Sequence, residues 1–280
     1  MKRPAGVIAV DVGNTAVKLS LCSNDLAVET EAADAANPDW IHRSFALDRS
    51  QWCESIVDWV REQTRSEAVS EAWQWRIASV NQRASDPLCK QIERSFPEST
   101  RRLISYRDVP MPIDVESPAQ LGIDRLLSAF AAHNRYTAPL IVIDAGSAVT
   151  VDLVNAAGAF AGGAILPGLT LQTNALTMGT AALPMIDWQN SDVVSIPGRN
   201  TVGAIRLGVL TSVTASIDRL IAYYSQRLDS QRLHSQRSSE TTQPPVVILC
   251  GGDAAVISPH IQSKHVTHTH LVCQGLLDLT

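Results

Sequence analysis

The hydrophobic pattern of the chain predicts several strands. Apolar runs at 7–10, 140–143 and 246–250 have the length of strands buried inside a sheet. The segment 16–22 alternates apolar and polar side chains, which is typical of a strand that returns beside the first one. The segment 73–80 has the composition of a further strand. These strands are spread over the whole chain, so longer elements must connect them.

The connecting segments show helical periodicity. Apolar side chains three and four residues apart predict one helix over 48–64 and a long one over 201–228. Two more helices are predicted to begin at the Asp-Pro pair 86–87 and the Ser-Pro pair 117–118, because proline is favoured in a first helical turn. The stretch 229–245 has almost no apolar residues and predicts a mobile loop. Strands that alternate with helices indicate an α/β fold.

Composition and charge exclude several classes of protein. A chain of 280 residues can bury about three-quarters of its unfolded surface and needs no disulfide or structural metal to fold. The hydrophobic fraction of 45% is that of a globular protein. The net charge of −5, without a run of Lys or Arg, argues against nucleic acid as a partner. No apolar run approaches the ~18 residues of a membrane helix, so we expect no membrane partner.

The cysteines indicate the compartment. There are five, an odd number, and none of them is in C-x-x-C spacing, so we expect reduced thiols and a cytoplasmic protein. They are Cys22, Cys53, Cys89, Cys250 and Cys273.

One motif occurs twice. The sequence DVGNTAVKL begins at Asp11, and DAGSAVTVD begins at Asp144, about half the chain away. Each places Asp-x-Gly at the end of a predicted strand, so the chain is predicted to contain two lobes of the same design. Short motifs also recur by coincidence, and this alternative stays open at the level of sequence.

The two Asp-x-Gly loops have the chemistry of a phosphate site. Ligands bind at the carboxyl ends of strands in open α/β sheets, and glycine lets phosphate oxygens approach backbone N–H groups. Lys18 could add a positive charge for the phosphates, and Asp11 suits a hydrated Mg²⁺. Either loop alone could be an ordinary hairpin turn. Two such loops facing each other would form a phosphate clamp.

The segment GIDR, residues 122–125, is a candidate for the chemical step. Gly122 lies in a predicted helix, where alanine would be more stable by ~1 kcal/mol, so another group must approach its backbone. Asp124 is then a candidate general base with Arg125 beside it. Seen alone, the Asp-Arg pair is more typical of an ion pair on a helix surface, and the surrounding motifs favour the catalytic interpretation.

Other residues suggest further sites. The glycine-rich turns at 162–168 and 250–254 could admit a base or ribose, or could be purely structural. A zinc site is the competing interpretation of His265, His268 and His270. The chain has neither a G-x-S-x-G elbow nor a Gly-Lys-Ser/Thr P-loop, which argues against a triad hydrolase and a Walker ATPase.

Taken in order, these motifs resemble those of the type III pantothenate kinase family, a branch of the acetate kinase, sugar kinase and actin superfamily. The resemblance runs from Asp11 to the C-terminal GLLDL and includes DVGNTAVK, SPAQLGIDR, DAGSAVTVD, GGAILPG, TAALP and GRNT. It implies an α/β fold with two actin-like (ribonuclease H-like) lobes around a central nucleotide cleft. The lobes are expected at 1–115 and 116–280.

The resemblance also implies a reaction: transfer of the γ-phosphoryl group of ATP to pantothenate, the first step of coenzyme A synthesis. Asp124 would be the catalytic base, and Asp144 would bind a monovalent cation, K⁺ or NH₄⁺. ATP, with Mg²⁺, would be held by Asp11, Val12, Gly13, Asn14, Thr15, Ala16, Val17, Lys18 and Ser147. Pantothenate would be held by Gly122, Ile123, Asp124, Arg125 and Thr180. A homodimer is expected, because the family pairs subunits through the second lobe.

The chain departs from the family at three positions. Val115 stands where a tyrosine is usual, so one contact to pantothenate is missing or replaced. Ser147 and Cys250 each stand where threonine is common. Val115 leaves open a kinase for another small hydroxylated substrate. A separate alternative is a non-catalytic transcriptional regulator of the Bvg accessory factor kind, which resembles these kinases.

Overall fold

The computed structural model describes residues 6–23, 33–34, 37–64, 72–188, 195–234 and 244–279. The chain divides into two compact units. Unit 1 consists of Met1–Pro110, Ala119–Ala131 and His270–Thr280, and unit 2 of Met111–Pro118 and Ala132–Thr269. The lobe boundary at residue 115 stays a prediction. All five cysteines are free thiols.

Unit 1 contains a six-stranded sheet. Its strands are β1 (Gly6–Val12), β2 (Ala16–Ser23), β3 (Ala33–Asp34), β4 (Asn37–Ala46), β5 (Trp73–Ser79) and β6 (Thr100–Leu103). They lie in the order β3-β4-β2-β1-β5-β6. The central strand β1 pairs antiparallel with β2 and parallel with β5. β1 is buried almost throughout, which explains its continuous apolar sequence.

Unit 2 contains a five-stranded sheet. Its strands are β7 (Leu140–Ala145), β8 (Ala148–Val154), β9 (Phe160–Pro167), β10 (Val246–Cys250) and β11 (Val266–Thr267). They lie in the order β11-β10-β7-β8-β9. The central strand β7 pairs antiparallel with β8 and parallel with β10.

Apart from the two-residue strand β3, the two sheets share one topology. In each, three antiparallel strands (β1-β2-β4 and β7-β8-β9) are followed along the chain by two strands that add in parallel on the other side of the first. Both Asp-x-Gly motifs therefore follow the central strand of their sheet. The repeat predicted from the sequence is confirmed, and coincidence no longer explains it.

Helices α1 (Trp52–Gln63), α2 (Gln82–Ser95) and α7 (Leu271–Asp278) belong to unit 1. Apolar side chains of α1 and α2, such as Ile56 and Leu88, join the core formed by β1, β2 and β5. α7 packs against the same three strands. The Arg76 guanidinium on β5 donates hydrogen bonds to the backbone carbonyls of Leu276 and Leu277, near the C-terminus of α7.

Several predicted helix starts are wrong. α1 begins four residues later than expected, and α2 begins four residues before Asp86. The Asn81 side chain accepts a hydrogen bond from the Ala84 N–H, so asparagine caps α2 and Pro87 lies inside the helix. After Ser117, a short 3₁₀ turn (Pro118–Gln120) precedes α3 (Ile123–His133).

Unit 2 contains α4 (Leu169–Gly179), α5 (Thr201–His234) and α6 (Ala254–Ile257). α5 contributes apolar residues such as Val213 and Ile217 to the core beneath the five-stranded sheet. It continues through the first residues of the predicted loop 229–245; residues 235–243 lie outside the described part. Within the described residues, no helix is long and apolar enough to cross a membrane.

Candidate functional site

The first Asp-x-Gly loop is fixed by backbone and side-chain hydrogen bonds. The Gly13 N–H donates to the Ala16 carbonyl at 3.0 Å, which closes the turn between β1 and β2. The Asn81 side-chain amide donates to the Gly13 carbonyl at 3.3 Å, and the Leu47 N–H donates to the Thr15 carbonyl at 2.9 Å. Strand β1, helix α2 and the end of β4 therefore hold a loop whose tip is exposed.

The two strands joined by this loop, β1 and β2, carry an ion pair. Asp11 and Lys18 are directly opposite each other on β1 and β2, and the Lys18 Nζ is 3.7 Å from the Asp11 Oδ2. Asp11 is only 6% exposed. Burial and the negative charge of Asp11 raise the pKa of the Cys273 thiol on α7 to about 12. Cys273 therefore stays protonated at neutral pH.

The segment 122–125 lies at the beginning of α3. The Gly122 carbonyl accepts the first helical hydrogen bond, from the Leu126 N–H at 3.3 Å. Gly122 is therefore at the helix boundary, not inside the helix as predicted. A Cβ at this position would be 2.6 Å from the Asp124 Oδ1, so the group that approaches the glycine is the Asp124 carboxylate itself. That oxygen also accepts a hydrogen bond from the Arg125 N–H at 2.8 Å.

The second loop follows β7 in unit 2. The Gly146 N–H donates to the Ala148 carbonyl at 3.1 Å, so this turn is one residue shorter than the first. The Gly168 N–H, just before α4, donates to the Ser147 carbonyl at 3.0 Å. A Cβ on Gly168 would lie 2.2 Å from the Gly146 carbonyl oxygen. Glycine is required here because two backbone segments touch.

A second glycine turn packs on the end of β7. Gly251 has a φ of +100°, and a Cβ there would lie 2.3 Å from the Ala145 carbonyl oxygen. The Asp253 N–H donates to the same oxygen at 2.9 Å. The segment 162–167 belongs to strand β9 and is not the predicted turn. The glycines at 168 and 251, first considered as contacts for a base or ribose, are explained by packing around the second loop.

The other candidate residues of unit 2 are partly or fully accessible. Asp144 lies in β7 and is half-buried. Thr180 follows α4 and is exposed, and its hydroxyl donates to the Leu176 carbonyl at 2.8 Å. Val115 lies beside Gly162, where a Cβ would be 3.8 Å from the Val115 Cγ1. Unit 1 thus holds the first loop and Asp124, and unit 2 holds Ser147, Asp144 and Thr180.

The zinc interpretation of the C-terminal histidines finds no support. The described residues contain no group of three His, Cys, Asp or Glu side chains placed to bind a metal. The His265 Nε2 is hydrogen-bonded to the Ser258 hydroxyl at 2.8 Å, and the His268 Nε2 to the Tyr136 hydroxyl at 2.7 Å. His270 stacks on the ring of His42. Each histidine has its own structural partner.

Comparison with known proteins identifies the family. The model of the type III pantothenate kinase family matches residues 7–223. The chain belongs to this family. A type III pantothenate kinase of Rhodopirellula baltica is 38% identical over 97% of both chains, and one of Persephonella marina is 27% identical over 98% of this chain and 97% of the relative. Membership confirms the expected enzyme class: the protein is a kinase.

A solved structure agrees on the fold. The structure described as a conserved putative Baf family transcriptional activator from Campylobacter jejuni superposes with a TM-score of 0.54. It is 15% identical and covers 97% of this chain and 96% of its own. At that identity the likeness concerns the fold alone. The two units, each with one mixed sheet and helices, confirm the predicted α/β class.

Sequence reasoning missed two residues near the Asp-x-Gly motifs. Asn81 both caps α2 and contacts the first loop, and an asparagine between a strand and a helix was a readable signal for the cap. Thr150 lies directly opposite Asp144 on β8. Only the cross-strand register reveals it.

Proposed function

We propose that this type III pantothenate kinase family member transfers the γ-phosphoryl group of ATP to the terminal hydroxyl of pantothenate, the first step of coenzyme A synthesis. The observation that carries the proposal is the repeated Asp-x-Gly loop after the central strand of both sheets. Phosphoryl transfer depends on positioning and charge neutralisation, and backbone N–H groups in rigid turns supply both.

Asp124 is proposed as the general base. The pantothenate hydroxyl oxygen forms a bond to the γ-phosphorus, its proton passes to the Asp124 carboxylate, and the bond from phosphorus to the bridging oxygen breaks to release ADP. The half-buried carboxylate lies in the first turn of α3, where Gly122 leaves room for it. Pantothenate would be held by Gly122, Ile123, Arg125 and Thr180.

ATP would be held by the first loop, residues 11–18, and by Ser147 of the second loop. The hydrogen bonds to Gly13 and Thr15 hold the first loop in one conformation, so little entropy is lost when phosphates bind. Mg²⁺ usually takes one or two carboxylates together with water and phosphate oxygens, so Asp11 alone suffices as its protein ligand. The ion would neutralise phosphate charge.

Asp144 is proposed as a ligand of a monovalent cation. The carboxylate lies in β7, just before the second loop, and no other described residue forms a hydrogen bond or ion pair with it. A single carboxylate fits a single positive charge. A bound K⁺ or NH₄⁺ would add positive charge near the phosphates.

We also propose that the protein is a homodimer paired through unit 2. Large apolar side chains are exposed on α4, where Met178 is 88% exposed and Leu171 47%. Ile165, on the edge strand β9, is 63% exposed. Exposed apolar groups of this kind are typical of surfaces that bind another protein.

A coupled assay of ADP release tests the substrate. We expect ADP release with pantothenate well above the release without acceptor, and little with pantetheine or common sugars. Turnover with another acceptor only would show that the pocket around Val115 serves a different hydroxylated substrate. No turnover with any acceptor would contradict the proposed reaction.

A further inference from the structure

In both units, the aspartate of the Asp-x-Gly motif lies opposite a residue on the next strand of the chain. In unit 1, Asp11 is opposite Lys18, and in unit 2, Asp144 is opposite Thr150. Side chains directly opposite each other in antiparallel strands lie on the same face of the sheet, with Cβ atoms about 5 Å apart. Thr150 therefore has, relative to Asp144, the position that Lys18 has relative to Asp11.

The two pairs differ in charge. The Asp11 carboxylate has the Lys18 ammonium 3.7 Å away. The Asp144 carboxylate has no hydrogen bond or ion pair with any described residue. The Thr150 hydroxyl oxygen is buried and likewise has no hydrogen-bond partner among the described residues. Natural proteins rarely leave a buried hydroxyl unsatisfied, so a water molecule or an ion is expected beside it.

We infer that Thr150 is a second protein ligand of the monovalent cation, beside Asp144. The bound cation would then have the same role in unit 2 that the Lys18 ammonium has in unit 1. This inference rests on the cation role proposed for Asp144. A hydroxyl and a carboxylate are both oxygen donors, and together they carry one negative charge. That set matches a monovalent ion, and NH₄⁺ is a close analogue of the lysine ammonium group. Unit 1 thus has a positive charge that is part of the chain, the Lys18 ammonium, and unit 2 would bind an exchangeable cation instead.

Four variants test the inference. Thr150→Val removes the hydroxyl and keeps the shape, Thr150→Ser keeps the hydroxyl, and Thr150→Lys supplies an ammonium in place of the ion. Thr214→Val is the matched control, because its buried hydroxyl donates to the Leu210 carbonyl within α5. The readout is the thermal midpoint of the full chain with Mg²⁺ and a non-hydrolysable ATP analogue, in KCl and in choline chloride at equal ionic strength.

We expect K⁺ to raise the midpoint of the wild-type protein, Thr150→Ser and Thr214→Val by about 2–4 °C at a concentration well above its Kd. Thr150→Val should lose most of this rise. In Thr150→Lys, K⁺ should no longer raise the thermal midpoint. The ratio of turnover in K⁺ to turnover in choline should fall to about one. If Thr150→Lys does not fold, the Val and Ser variants still decide.

Two results would overturn the inference: a K⁺ rise retained in full by Thr150→Val, or no K⁺ rise in the wild-type protein. If the wild-type protein phosphorylates pantothenate and K⁺ does not raise its midpoint, the cation site is excluded while the proposed reaction on pantothenate is retained. If K⁺ raises the midpoint of the wild-type protein but not of Thr150→Val, and the protein is inactive on pantothenate, the cation site is supported and pantothenate is excluded as the substrate.

Discussion

At the scale of single residues, Asp124 and Gly122 depend on each other. The Asp124 Oδ1 occupies the space that a Cβ at position 122 would need, and it accepts the Arg125 N–H. A larger residue at 122 would push the carboxylate away from the start of α3. The glycine therefore fixes where the proposed base can lie.

Replacing Asp124 with asparagine tests the base. The amide oxygen can still accept the hydrogen bond from the Arg125 N–H, so the fold and the affinity for ATP should be preserved. The amide cannot accept a proton, and kcat should fall roughly 10²–10⁴-fold, the usual contribution of a positioned base. Steady-state kinetics and a titration with an ATP analogue measure both quantities. Asp86→Asn, an exposed carboxylate on α2, is the control; turnover near wild type in Asp124→Asn would rule out this role.

Val115 tests the substrate pocket. A tyrosine hydroxyl can donate and accept a hydrogen bond, whereas valine offers only apolar contact. Gly162 lies beside it and has no side chain of its own. Since a neutral hydrogen bond contributes about 0.5–1.5 kcal/mol, Val115→Tyr should lower the KM for pantothenate up to about tenfold and leave kcat within a few-fold. A large fall in kcat/KM would mean that the pocket is built around valine.

At the scale of elements, the second loop depends on glycines from other segments. Gly168 precedes α4 and Gly251 follows β10, and both contact the backbone of residues 145–147. The loop thus has a fixed shape because three separate chain segments meet where only backbone atoms fit. Its position in the sequence gives no hint of these contacts.

Substitution of neighbouring glycines tests this packing. Gly251→Ala places a methyl group against the Ala145 carbonyl at a φ of +100°, and should lower the free energy of unfolding by about 2–4 kcal/mol. Gly252→Ala is the control, because no atom lies within 4 Å of its Cβ position. Urea unfolding followed by circular dichroism measures both variants. Equal stability of the two would contradict the close contact at 251.

At the scale of the whole molecule, association through unit 2 is the property to measure. Sedimentation velocity should give the mass of a dimer for the wild-type chain. The double change Leu171→Glu and Met178→Glu places two like charges on exposed apolar positions of α4 and should yield a monomer. Leu103→Glu, at a 62% exposed position on β6 in unit 1, should leave the dimer intact. A wild-type monomer, or a dimer lost only in Leu103→Glu, would contradict the proposed surface.

The central strands of both sheets, the repeat and the family could be predicted from the sequence alone, whereas β4, β6, β9 and β11 were not predicted. The runs 7–10, 140–143 and 246–250 are apolar because their strands are covered in a sheet, and such local patterns can be read without knowing what covers them. The Asp-x-Gly loops were located for the same reason, since a strand end and a turn are adjacent in the chain. Asp124 was singled out by its motif.

Features that depend on residues far apart in the chain became visible only in the folded structure. Asn81 begins α2 one turn before the Asp-Pro signal, and Gly122 proved to be a helix boundary that accommodates a carboxylate. The pairing of Asp144 with Thr150 exists only in the register of β7 and β8, because cross-strand contacts join residues whose spacing along the chain is set by the turn. Hydrophobic periodicity predicts which face of a strand a residue occupies. The residue next to it on the adjacent strand is known only from the register of the folded sheet.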